Sequence, residues 1–330
     1  MNIPYIDYNI SLSVITKFNL DDSEQPYNFI GGNIVDYVQP LYNFYQGILI
    51  NHPEPNINKA IFYFVLSENL DAFAASDANG YKIIGITIGA FTQLRGMFMN
   101  GPILDDHRLK GFLDVQEKSS ELLQVLMYQT CEHFIFYHEL GHLIQGNVSG
   151  KVKFTENVTV NKGTVMNDHM SEVDADMYAT NFIAQHIFQY ISSNCQTMSS
   201  HEIEYIIAIS SAALFILFLS FPGADQGVYY EESTHPHSII RIVLVVSSII
   251  DGLKSKNLDA ETFNVESIIN KTLDSLEVFT TFCIPDLDYK DFKNYFSSEK
   301  SNIFAYSRKL RSLVVKWDES AVVRSGLIEN

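Results

Sequence analysis

Apolar residues recur at helical spacing from Ser120 to Gln145, through ELLQVLMYQTCEHFIFYHELGHLIQ, with no proline and no glycine before Gly141. The pattern predicts one long helix, stopped at Gly146-Asn147. Upstream, Ile61–Leu66 (IFYFVL) and Tyr81–Ile88 (YKIIGITI) are apolar and rich in β-branched residues, which predicts strands. Asn69–Ala75 leads through the turn-like Ser76-Asp77-Ala78-Asn79-Gly80 into the second strand and so predicts a hairpin. Residues 1 to about 60, punctuated by Pro26, Pro40, Pro53 and Pro55, read as strand and loop that packs on the core through Tyr42, Phe44 and Tyr45. Residues 95–120 read as a loop or lid and Lys151–Val165 as a short polar hairpin, with helical character returning at about Met170.

Tyr205–Phe221 carries no charge over 17 residues, the lower edge of spanning length, and Ser210, Ser211 and Ser220 interrupt it with no Lys or Arg flank. It reads as a buried core helix, with membrane association the lesser reading. A second apolar helix begins at about Ser238, and residues 251–330, with Trp317, alternate charged and apolar positions helically. The expected architecture is a mostly helical α+β protein. Residues 1–60 form an N-terminal segment, 61–250 a central unit with a small sheet ahead of the long helix, and 251–330 a helical C-terminal portion.

The long helix carries His138-Glu139-Leu140-Gly141-His142. Two His four residues apart lie one above the other on a helical face, where both imidazoles can meet one Zn²⁺ while the intervening Glu faces a water as general base. The flanks Phe134, Ile135, Phe136, Leu140, Leu143 and Ile144 bury this helix, and two His and a Glu are costly there without a cation. Gly141 lowers helix propensity and implies close packing or access to the metal. His133 is out of phase with His138, and His107 and His186 read as ordinary solvated or packing residues.

A zinc held by two His needs a third protein ligand and an open position. Glu172, Asp174 and Asp176 open the next helix. Glu172 is the candidate ligand, and Asp176, one turn on, can accept from the outer ring nitrogen of a ligand His and fix its tautomer. After a loop at Pro222, Gly223 and Gly227, His235 or a tyrosine such as Tyr229 or Tyr230 is placed to stabilise an oxyanion. The strand Ile83–Ile88 is a candidate to hold an extended peptide by strand addition. A closed structural zinc site would instead take a fourth ligand from His169 or His235.

Composition narrows the partners. A hydrophobic content of 46% with 18% charged residues indicates a folded chain, and 22 Lys and Arg against 39 Asp and Glu, net −17, leave no basic stripe for nucleic acid. Cys131, Cys195 and Cys283 are too sparse for a disulfide framework and suit a reducing cytosol, and the N-terminus MNIPYIDYNISLSV lacks the basic start of a secretory signal.

Collinear pieces resemble the gluzincin metallopeptidases, most closely the HtpX and prenyl-protein (CAAX) endopeptidase type. They are Asp71-Ala72-Phe73-Ala74 with Tyr81, Ile86-Thr87-Ile88-Gly89, Glu121-Leu122 with Val125-Leu126, His138-Glu139-Leu140-Gly141-His142, Glu172-x-x-Ala175-Asp176, and Thr234-His235-Pro236 with Arg241-Ile242. The phage-exclusion peptidase Lit and the ImmA/IrrE regulators also carry H-E-x-x-H with a downstream Glu. The resemblance covers about residues 68–245. It implies a zincin-like fold and a zinc-dependent endopeptidase acting on a protein or peptide through a Glu-activated water. The implied zinc, one per chain, is held by His138, His142 and Glu172, with Glu139 as base, Asp176 behind a ligand, and His235 and Arg241 at the site. The alternative is a Lit- or ImmA-like regulatory or defence protease, or a non-catalytic, zinc-bearing regulatory protein. Membrane-bound members have clear spanning helices; here a single span at 205–221 would put Glu172 and His235 on opposite sides of a bilayer, so a cytoplasmic, bacterial-type protein is expected.

Overall fold

The computed structural model describes residues 7–15, 20, 24–30, 35–54, 56–76, 80–99, 106–145, 150–153, 165–195, 198–220, 228–256, 263–284 and 292–327. Two helices, α1 (Tyr8–Ile15) and α2 (Val35–Ile50), come first among the described residues, which corrects the expectation of strand and loop over those two stretches; Pro26 bridges Val65, and the other described residues up to 60 are loop and turn. Val38, Tyr42, Tyr45 and Leu49 recur at helical spacing along α2 and are all buried. Their packing, with the Tyr45 ring stacked on Phe136 at 4.3 Å, outweighs the helix bond that Pro40 forfeits inside α2.

Strands β1 (Ile61–Val65), β2 (Ala72–Ser76) and β3 (Lys82–Thr87) follow, and the sheet order is β1-β3-β2-β4, where β4 is Gly150–Lys153. The predicted hairpin is present: β2 pairs antiparallel with β3 from Ala72↔Ile86 to Ser76↔Lys82, and Gly80 takes a φ of +79°, which a side chain would oppose. On its other side β3 runs parallel to β1. β3 is therefore an inner strand with both edges paired, and Ile83–Ile88 cannot take a substrate by strand addition. The β1 edge is engaged near its end, where Tyr27 N–H donates to Phe64 O and Leu66 N–H to Gln25 O, each at 2.7 Å.

β3 ends at Thr87, and α3 (Ile88–Met99) begins at once. The Thr87 hydroxyl explains the switch, because it accepts from Ala90 N–H at 3.1 Å while donating to Asn69 O at 2.6 Å. A single 3₁₀ turn at His107–Leu109 and α4 (Lys110–Gln116) come next, so the described part of 95–120 is largely helical, not a lid. The His107 side chain is 95% exposed, as expected.

The long helix α5 (Leu123–Ile144) lies at the centre and packs most extensively on α6 (Val165–Asn194), which starts five residues before the expected Met170. The predicted stop at Gly146-Asn147 lies outside the described residues; Gln145 caps α5 instead. Of the expected hairpin at Lys151–Val165, the described part is β4, paired with β2. α7 (Ser200–Leu219) is long and apolar enough to cross a membrane, but 89% of its apolar window is buried within the fold. Ser199 and Glu202 close a capping box at its start, and Glu204 meets Lys271 at 2.5 Å. Helices α8 (Ser238–Lys254), α9 (Val265–Cys283), α10 (Phe292–Val315) and α11 (Ala321–Arg324) complete the chain, and one contiguous apolar core runs from Tyr8 to Val322.

Candidate active site

The site is set by the crossing of α5 and α6. A side chain at Gly141 would bring its Cβ within 3.0 Å of Ala175 Cα and 3.3 Å of Ala175 Cβ, so the two helices meet where neither has bulk. Flanking that contact at −3 and +1 are His138 and His142 on one helix, and Glu172 and Asp176 on the other. Gly141→Val should cost about 1–3 kcal/mol by overpacking and weaken metal binding by forcing the ligand-bearing helices apart. Thermal unfolding of the metal-free protein and a zinc titration check this; unchanged values would show that the crossing has slack.

His138, His142 and Glu172, all buried, bring donor atoms within 4.8 Å of one another, a group that could hold a metal ion. Nε2 of His138 and Nε2 of His142 stand 3.1 Å apart, and they lie 3.6 Å and 3.4 Å from the Glu172 carboxylate. The opposite nitrogens are committed. His138 Nδ1 donates to Asp176 Oδ1 at 2.9 Å and His142 Nδ1 to Gln145 Oε1 at 3.1 Å. In the neutral rings these bonds turn both Nε2 lone pairs toward each other beside a carboxylate, an arrangement that a cation satisfies. Burial lowers both imidazoles, leaving His138 at about 4, while hydrogen bonding to Glu172 and its charge lift His142 to about 9. Burial would raise Glu172, but the charges of His235, His142 and His138 hold it well below the usual carboxylate range.

Glu139 is fully buried, and neither of its carboxylate oxygens has a hydrogen-bond partner among the described residues. Burial holds its carboxyl well above the ordinary range, with Glu172 and Asp71 adding to the rise against the pull of His142. Asp176 meets Arg241 side-on, with Nε to Oδ2 at 2.8 Å and Nη2 to Oδ1 at 2.7 Å, and the guanidinium lies 4.1 Å over the Phe218 ring. Arg241 thus acts on the ligand group from behind, through Asp176 and His138.

His235 Nε2 stands 3.5 Å from Glu172 Oε2 and is another buried polar atom without a hydrogen-bond partner among the described residues. Its loop is anchored by His169, whose Nε2 donates to Ser233 O at 2.7 Å and whose Nδ1 accepts from the Tyr306 hydroxyl at 2.9 Å. His169 is thereby spent on its loop and on α10 and is not part of the ligand group. Tyr230 is directed away, donating to Glu299 Oε2 at 3.3 Å, whereas the Tyr229 ring packs edge-on to His237 at 4.8 Å. His133 and His186 pack together at 5.2 Å, and burial lowers them to about 3 and about 4.

Two residues at the site carry no signal in the sequence motif. Gln145 orients His142, and Asp174, between Glu172 and Asp176, faces the opposite way, where it binds Gln145, Ser320, Ala321 and Val322. A cavity of about 610 Å³ lies elsewhere, lined by residues including His52, Tyr137, Tyr178, Phe182 and Arg324 and by none of the three ligand candidates.

No curated protein and no solved structure matches the chain. Residues 112–256, which span α4 to α8 and hold His138, Glu139, His142, Glu172, Asp176, His235 and Arg241, match the family model Peptidase U49. The match supports a peptidase, and does so without extending to the HtpX and prenyl-protein endopeptidase type.

Proposed function

We propose that the protein is a zinc-dependent endopeptidase that hydrolyses peptide bonds of a protein substrate. The observation that carries the reading is the convergence of His138 Nε2, His142 Nε2 and the Glu172 carboxylate, with the unpartnered carboxylate of Glu139 buried beside them. Zinc bound there would polarise the scissile carbonyl and make a water acidic. Glu139 takes the proton of the attacking water and returns it to the leaving amine. His235, with a free ring nitrogen beside Glu172, donates to the developing oxyanion. Asp176, fixed by Arg241, holds His138 in the tautomer that presents Nε2. Among the described residues β4 is an edge strand of the sheet, so strand addition by an extended substrate would use β4 in place of the inner β3. His169 cannot close the site as a fourth ligand, since both its nitrogens are engaged elsewhere; His235, whose Nε2 stands 3.5 Å from Glu172 Oε2, is the residue through which a closed structural site would form. All three cysteines are free thiols, which fits a cytoplasmic setting.

Elemental analysis of wild type and Glu172→Ala, paired with a proteome-wide cleavage assay, tests this. One zinc per chain is expected, with a loss of affinity in Glu172→Ala exceeding the roughly 10–100-fold cost of losing an outer partner of a ligand, together with discrete cleavage products from wild type. A wild-type protein with no affinity for added zinc overturns the reading.

A further inference from the structure

His142 is the ligand candidate whose outer nitrogen is held by a neutral group, Gln145, and that group is itself tied down on every side. Gln145 is buried just past the last turn of α5, and its extended backbone (φ −53°, ψ 134°) turns its side chain back toward His142. Its amide nitrogen donates to Ser171 O at 2.8 Å and to Asp174 Oδ2 at 2.9 Å, and its amide oxygen accepts from the Ser171 hydroxyl at 2.7 Å and from His142 Nδ1 at 3.1 Å. Both amide hydrogens and both lone pairs are assigned, so the amide has one orientation. Asp174, with no solvent exposure, in turn accepts from the Ser320 hydroxyl at 2.5 Å, Ala321 N–H at 2.6 Å and Val322 N–H at 3.2 Å. The chain of contacts thus runs without a break from the C-terminal turn to the metal group, across roughly 180 residues of sequence separation between His142 and Ser320.

We infer that the start of α11 positions the metal ligand His142, through Asp174 and Gln145. The inference rests on the reading of His142 as a zinc ligand. Ser320, Asp174 and Gln145 are positioning residues: they lock the His142 ring in the tautomer and rotation that present Nε2, and they make the C-terminal segment part of the metal site's support.

The test uses the full chain. Zn²⁺ affinity is measured by competition with a chromophoric chelator, and the Co²⁺-loaded protein's visible absorption reports ligand geometry, for wild type, Glu172→Ala, Gln145→Leu and Ser320→Ala, with Tm alongside. Gln145→Leu is expected to weaken Zn²⁺ about 10–100-fold and to shift the Co²⁺ bands. Ser320→Ala, the milder change at the far end, is expected to move both readouts the same way to a smaller extent. A purely structural role would lower Tm and leave the Co²⁺ bands of the folded protein in place, which overturns the inference. Wild-type metal readouts in Ser320→Ala beside altered ones in Gln145→Leu overturn the part assigned to α11. Wild-type behaviour in both variants, with Glu172→Ala impaired, overturns the inference and leaves the metal reading standing; a wild type that binds neither ion overturns the metal reading itself.

Discussion

Glu139→Gln should retain one metal per chain and lose peptide hydrolysis by about 10²–10⁴-fold, the usual worth of a positioned general base. Glutamine keeps the volume and hydrogen-bonding shape of the side chain but cannot accept and return the water proton. Glu139 is not among the mutually close donor atoms of His138, His142 and Glu172, so metal content should not follow activity down. The substitution has a second signature in the metal-free protein. The carboxyl of Glu139 is raised in the fold, chiefly by burial, so the folded chain holds that proton more tightly than the unfolded chain does. Its stabilising contribution is present at pH below the unfolded carboxyl value and is lost as pH rises through the folded one. The substituted amide has no such titration, so the variant should gain stability relative to wild type toward neutral pH and converge with it in acid. Metal analysis, peptide cleavage and thermal unfolding across pH read these outcomes; metal lost together with activity would undo the assignment of Glu139 as base.

The chemistry-bearing part of the chain was legible because its signals are local. The spacing of His138 and His142 needs only one helix, and Glu172 to Asp176 only one turn of another, so face arguments alone place them. Gly141 reads in the sequence as a residue kept small for packing or metal access, and its approach to Ala175 is that packing. Local punctuation misleads where tertiary contacts override it. Pro40 suggested a break, yet four aromatic and aliphatic side chains on one face of α2 find a core to bury in. The strand at Ile83–Ile88 has the right composition for an edge or a centre, and only the parallel pairing of β1, on the side away from β2, makes it an inner strand. Gln145 and Asp174 carry no motif, because their roles depend on α11 arriving from the end of the chain.

Arg241→Met should destabilise the protein by about 3–5 kcal/mol, the cost of leaving one member of a buried ion pair uncompensated. Arg241 and Asp176 are 4% and 1% exposed, and the guanidinium grips both carboxylate oxygens at 2.8 Å and 2.7 Å. Burial by itself would raise the Asp176 carboxyl; the Arg241 charge and the His138 hydrogen bond hold it low, so the pair keeps Asp176 an acceptor for His138 Nδ1. Methionine retains the apolar contact with Phe218 but leaves Asp176 with His138 as its remaining charge partner in the pair's place. The double variant Asp176→Leu/Arg241→Met separates stability from function. With both charges gone, much of the lost stability should return, because replacing a buried pair with apolar side chains is often neutral or favourable. Zinc affinity should not return with it, since His138 Nδ1 then has no carboxylate to fix its ring, a loss of about 10–100-fold. Denaturant unfolding and zinc titration on the two variants test this. A double variant that regains both would mean that the Asp176–Arg241 pair serves only the packing of α6 on α8; one that regains stability alone assigns the pair to holding His138 toward the metal.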